Sequence, residues 1–80
     1  MQTQAVARLI RDGLPGAEVQ VTGDGSQFEA TVVSAAFEGL TPVRRERLVL
    51  ATVEPSIASG ELHAISVRAY TPAQWSQRDG

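Results

Sequence analysis

The sequence predicts an α+β fold, helices layered on a small sheet, and three observations carry that reading. Residues 17–22 and 28–34 alternate apolar and polar side chains on either side of GDGSQ, the pattern of two strands joined by a turn. Helical stretches at 3–12 and 42–53 flank this hairpin. A third alternating run, residues 62–69, follows the second helix. Such helices and strands each carry one apolar face, and a helix-on-sheet sandwich buries both.

The elements follow in chain order. Residues 3–12, TQAVARLIRD, form a helix that Thr3 can cap, with Ala5, Val6, Leu9 and Ile10 as one apolar stripe. Gly13 is expected to take the left-handed conformation that stops the helix, and Pro15 prevents its continuation. In AEVQVT, Val19 and Val21 face one way while Glu18 and Gln20 face the other. In FEATVVS, Phe28, Ala30 and Val32 share a face, and the glycines between the two runs suit a tight antiparallel hairpin. A short helical turn is expected at 35–38, ended by Gly39.

Thr41 and Pro42 open the long helix, a capping hydroxyl followed by proline at the first helical position. Its first turns are charged, with Arg44, Arg45, Glu46 and Arg47, and from Leu48 it is apolar nearly all round, as a deeply buried second half would be. Pro55 is expected to kink or end it, with one more turn over 56–59. In LHAISVRA the alternation sets His63, Ile65 and Val67 on one face and Leu62, Ala64, Ser66 and Arg68 on the other. TPAQW starts a last helix, with Thr71 and Gln74 at capping-box spacing and Trp75 folding back as an anchor. Residues 77–80 read as a frayed tail, and no repeat or second domain is visible.

Composition narrows the function. Eighty residues make one small domain with little room for an enclosed catalytic cavity. The absence of cysteine excludes disulfides, zinc ribbons and thiol catalysis by this chain. No secretory leader is visible, and no segment approaches the roughly 18 apolar residues of a membrane helix, so a cytoplasmic protein that does not enter the membrane is expected. A net charge of −2 argues against a dedicated nucleic-acid binder.

Candidate chemistry is sparse. GDGS lacks the lysine of a phosphate loop and the carboxylate spacing of a calcium loop, so a plain turn explains it. Asp24, Glu29 and Glu61 form no recognisable acid–base pair, and no enzyme activity is expected. His63, the one histidine, is either an ordinary surface residue or half of a metal site that a partner completes, since neutral imidazole binds zinc and iron well. Arg44, Arg45 and Arg47 lie near the positive end of their helix, where the dipole opposes them. They are a solvated face or a grip on phosphate or an acidic partner.

Four stretches in order, VTGDGSQFEATVVSAAFEGL, PVRRERLVLATV, LHAISVRAY and TPAQW, resemble the BolA family, especially its short bacterial members. The resemblance spans about residues 4–76. It rests on the turn before Phe28, the Phe37-Glu38-Gly39 corner, Arg45 with Arg47, Leu62-His63-Ala64 and Tyr70-Thr71-Pro72. It implies a single αββααβ domain, similar to class II KH domains, with a three-stranded sheet backed by helices. It also implies a monothiol glutaredoxin as partner, in apo complexes and in complexes bridged by a [2Fe–2S] cluster shared with glutathione, with no cluster on this chain alone. In that resemblance His63 is the metal ligand. The partner surface takes in Asp24, Ser26, Gln27, His63, Tyr70, Thr71 and the tail. The sequence departs from the pattern twice. The loop position usually held by histidine or cysteine is Gln27, a poor iron ligand, and the common Arg-His-Arg is Arg45-Glu46-Arg47.

Three functions compete. The first is a glutaredoxin partner in iron–sulfur handling or iron-linked regulation. The second is a KH-like module of transcription or stress regulation that binds DNA through Arg44, Arg45, Arg47 and Arg68, although no G-x-x-G clamp lies between helices. The third is an adaptor or weak homodimer without a metal role.

Overall fold

The computed structural model describes every residue except Ser26, Asp79 and Gly80. The order is α1 (Thr3–Gly13), β1 (Glu18–Gly23), β2 (Gln27–Val33), a single 3₁₀ turn (Ala35–Phe37), α2 (Pro42–Ala58), β3 (Ala64–Tyr70) and α3 (Pro72–Gln77). The short helical turn expected at 35–38 is this 3₁₀ turn, started by the Ser34 hydroxyl accepting from the Ala36 N–H. The sheet runs β1-β2-β3 with β2 in the centre. β1 and β2 are antiparallel, as a hairpin must be. β2 and β3 are parallel, which requires a long crossover, and α2 supplies it.

All the buried apolar side chains of the strands but one point to the helical layer. Val19, Phe28, Ala30 and Val32 form one core with Val6, Ala7 and Ile10 of α1 and Val49 and Val53 of α2, and Phe37 of the 3₁₀ turn and Leu62 of the segment before β3 join it. Full burial of each large side chain contributes about 1.5–3 kcal/mol. Val33 is the exception. It lies on the opposite face yet is 6% exposed, beside a groove that Trp75 also lines.

Several expectations give way to specific contacts. Thr3 is inside α1, and the cap position belongs to Gln2, which makes no side-chain cap bond. Ala5 is exposed, and Ala7 takes its place in the buried stripe. Gly13 stays helical, and the positive φ falls on Gly16 at 86°. The absent side chain at Gly13 serves packing instead, since a Cβ there would stand 2.5 Å from Thr52 Cγ2. Pro55 does not end α2, which runs on to Ala58. Proline costs the Ala51 carbonyl its helical donor, and both residues are exposed, so water can replace it. The second half of α2 is buried along the single stripe Val49–Val53, while Ala51 and Ile57 are exposed. At the far end, Gln77 is part of α3, and the Arg78 guanidinium stacks 3.5 Å above the Trp75 ring. The rest of the expected frayed tail lies outside the described residues.

Candidate functional site

The hairpin end of the sheet carries the first group of predicted residues. Gly23 closes the turn, because a Cβ would stand 2.3 Å from the Gln27 carbonyl oxygen. The Asp24 N–H donates to that same carbonyl at 3.3 Å. Gln27 opens β2 and pairs in register with Ala64, the residue after His63. The parallel pairing of β2 and β3 therefore brings the hairpin loop and the histidine to one end of the sheet. Asp24, Gln27 and His63 are all exposed there, and Ser26 lies outside the described residues.

The strand does not begin where the alternation suggested. Leu62 was expected beside Ala64, Ser66 and Arg68, yet it is 1% exposed while those three are exposed. Its N–H donates to the Ser56 carbonyl at 3.1 Å, which ties it to the last turns of α2 and turns its side chain into the core. The core thus fixes the backbone immediately before His63 and leaves the imidazole in solvent.

A concavity of about 470 Å³ opens at this end of the sheet, on the face opposite α1 and α2, and is lined in part by Ala64, the residue after His63. Thr22, Asp24, Gln27, Glu29, Ala64 and Ser66 contribute to its walls. Thr22 and Ser66 did not stand out in the sequence, and Glu29 was weighed there only as an acid–base candidate, although strand parity sets all three on that face. Among the described residues no group of three or more histidine, cysteine, aspartate or glutamate side chains can hold a metal ion. The good donor here is one imidazole, and the Gln27 amide adds a weak oxygen. Such a set suits a metal or cluster whose remaining ligands come from another molecule.

Tyr70 and Thr71, expected in the same surface, stand at the opposite end of β3. Seven strand residues set them roughly 20 Å from the histidine end. Tyr70 packs on Trp75, with ring centroids 5.2 Å apart. Thr71 is 8% exposed and caps α3: its hydroxyl accepts from the Gln74 N–H at 3.2 Å, and its own N–H donates to Gln74 Oε1 at 3.0 Å. It shapes the surface rather than offering a side chain to it.

The arginines separate as well. Arg44, Arg47 and Arg68 are exposed. Arg45 is half-buried and turned inward. Its Nε donates to the Leu40 carbonyl at 3.0 Å, and its Nη1 to Gln74 Oε1 at 2.7 Å and the Ala69 carbonyl at 3.5 Å. Its partners for a charge near the positive helix end are intramolecular, and no local sequence signal marks a contact spanning 29 residues.

With this geometry in view, comparison with known proteins is decisive. The family described as BolA-like protein matches residues 7–74. The chain belongs to the BolA family. The acid stress protein IbaG of Escherichia coli is 34% identical over 77 residues, which cover 96% of this chain and 92% of that protein. The solved BolA homologue of Coxiella burnetii superposes with a TM-score of 0.86 at 35% identity, over 96% of this chain and 99% of that one. The BolA domain of SufE1 from Arabidopsis thaliana superposes with a TM-score of 0.77 at 29% identity, over 89% and 92% of the two chains. This BolA chain therefore shares a fold that also occurs as a domain joined to another protein. No helix among its described residues is long and apolar enough to cross a membrane.

Proposed function

We propose that this BolA-like chain is a non-enzymatic partner of a monothiol glutaredoxin in the binding or trafficking of a [2Fe–2S] cluster. One observation carries the reading. The β2–β3 register places His63, exposed, beside the hairpin loop at one end of the sheet, on a backbone anchored by the buried Leu62. A lone accessible imidazole on a rigid base is useful to a shared cluster and insufficient for a private one. His63 would supply one nitrogen, the glutaredoxin and glutathione the thiolates, and this chain alone would stay colourless. Gln27 leaves the loop side weakly ligating, so the bridged cluster is expected to be held less tightly than one with two strong ligands from this side. The nucleic-acid reading draws less support, because Arg45 spends its donors inside the fold.

The test mixes purified protein with a monothiol glutaredoxin, glutathione, iron and sulfide, and follows visible absorption and circular dichroism. Wild type should change the spectrum of the glutaredoxin-only cluster, and His63→Ala should not. Calorimetric binding with no spectral change from either protein would leave an apo partnership and remove the ligand role. No binding at all would end the glutaredoxin reading, and a salt-dependent DNA titration with Arg44→Glu and Arg47→Glu would follow.

A further inference from the structure

Among the described residues, Arg45 is the one arginine whose side chain joins three parts of the chain, and its shortest bond goes to α3. This helix has only six residues, too few to be stable without tertiary contacts. It owes its place to a small number of groups. Gln74 Oε1 accepts from the Thr71 N–H at 3.0 Å and from Arg45 Nη1 at 2.7 Å, so one oxygen closes the capping box and docks the helix. The same guanidinium holds the Leu40 carbonyl, just before α2. It also reaches the Ala69 carbonyl at 3.5 Å. The Tyr70 carbonyl accepts from the Ser34 N–H and so points toward β2. The Ala69 carbonyl, one residue earlier, therefore points to the unpaired edge of the sheet. Arg45 thus clamps the start of α2, the free edge of β3 and α3 together.

What α3 carries is Trp75. The indole packs on Tyr70 and lines a groove of about 190 Å³ with Glu18, Gln20, Thr31 and Val33 on the face opposite α1 and α2. That face begins at the concavity lined by Gln27 and Ala64 and ends at Trp75.

We infer that Arg45 is a positioning residue: acting through Gln74, it seats α3 and Trp75 in advance, so that the far end of the glutaredoxin surface is preformed rather than ordered on docking. The inference rests on the glutaredoxin reading for its binding consequence alone. Losing a hydrogen bond from a charged donor shifts the balance between docked and undocked α3 by about tenfold. A surface that is competent for only part of the time binds more weakly in that proportion.

Trp75 is the chain's one tryptophan, so its fluorescence reports the seat of α3 directly. The test uses the full chain with Arg45→Met, which keeps the apolar stem, and Gln74→Leu, which removes the acceptor from the exposed side. Gln74→Glu keeps an acceptor and serves as rescue. Each variant is first shown to be folded by far-ultraviolet circular dichroism. The two disruptive variants should shift Trp75 emission to the red and raise acrylamide quenching, and their double mutant should go no further than either one. Gln74→Glu should match wild type. Glutaredoxin affinity should fall about three- to tenfold in the disruptive variants, with the His63-dependent cluster spectrum regained at saturating partner. Should Arg45→Met fail to fold, Gln74→Leu carries the same comparison. Unchanged quenching in the variants, or changed quenching with wild-type affinity for glutaredoxin, overturns the inference. A wild-type chain that binds no glutaredoxin overturns the functional reading instead, and the fluorescence still decides whether Arg45 seats α3.

Discussion

Gly13→Ala tests whether the helical layer is as tightly fitted as the structure shows. In an isolated helix the change would be favourable, since alanine exceeds glycine in helix propensity by about 1 kcal/mol. Here the new methyl would stand 2.5 Å from Thr52 Cγ2 and 2.9 Å from Thr52 Cβ, both inside contact distance. Rotating Thr52 moves Cγ2 away but breaks the 2.6 Å bond from its hydroxyl to the Val49 carbonyl. Rotation cannot move Cβ at all, so α1 and α2 must separate. Overpacking of this kind costs about 1–3 kcal/mol, against the gain of about 1. The expected net effect is a destabilisation of about 1 kcal/mol, a melting point lower by about 4–8 °C for a domain of this size. Urea unfolding of wild type, Gly13→Ala, Thr52→Ser and the double mutant measures it. Serine keeps the hydroxyl and deletes the nearer clashing carbon, so Gly13→Ala should cost less in that background, with a coupling of at least about 0.5 kcal/mol. A more stable Gly13→Ala in the wild-type background, or strict additivity, would refute the argument that glycine is there for helix–helix contact.

Three further outcomes are expected. His63→Ala should leave stability within about 0.5 kcal/mol of wild type in urea unfolding, because the side chain is exposed; this keeps the spectroscopic comparison free of folding effects. Pro55→Ala should stabilise by about 1 kcal/mol or more in the same assay, since it restores a donor to Ala51 within an exposed stretch of α2, at the expense of some unfolded-state entropy. Gln27→His should slow the loss of the bridged cluster to chelator, followed by visible absorption, and the gain should vanish when His63→Ala is added. A Gln27→His chain with unchanged cluster lifetime would mean that the start of β2 does not face the shared ligand site.

The fold was legible because its signals are local. Alternation around GDGSQ gave the hairpin, and the Thr-Pro pairs 41–42 and 71–72 gave the two helix starts, each with the predicted hydroxyl accepting from the third residue of the helix. What failed depended on distant contacts. Gly13 looked like a helix stop because its packing against Thr52, 39 positions on, leaves no trace in its own neighbourhood. Leu62 was set on the wrong face because its hydrogen bond to Ser56 holds it outside the strand, which begins two residues later at Ala64. Pro55 was expected to kink or end the helix before one more turn over 56–59, because sequence alone does not show that the Ala51 carbonyl faces solvent and the helix can run through.

The candidate site divides along the same line. Nothing in the spacing of residues 24, 27 and 63 sets them at one end of the sheet; the parallel register Gln27–Ala64 does, and the family resemblance had pointed there. Tyr70 and Thr71 belong to the other end of β3, so a partner that uses both groups must lie along a sheet face roughly 20 Å long. A stable interface buries about 800 Å² per partner, wide enough to span that distance. On the proposed reading His63 brings the chemistry and α3 the extent of contact, so ligation and affinity should respond to different substitutions. The same reading expects Gln27 to weaken the hold on the cluster without removing the partner.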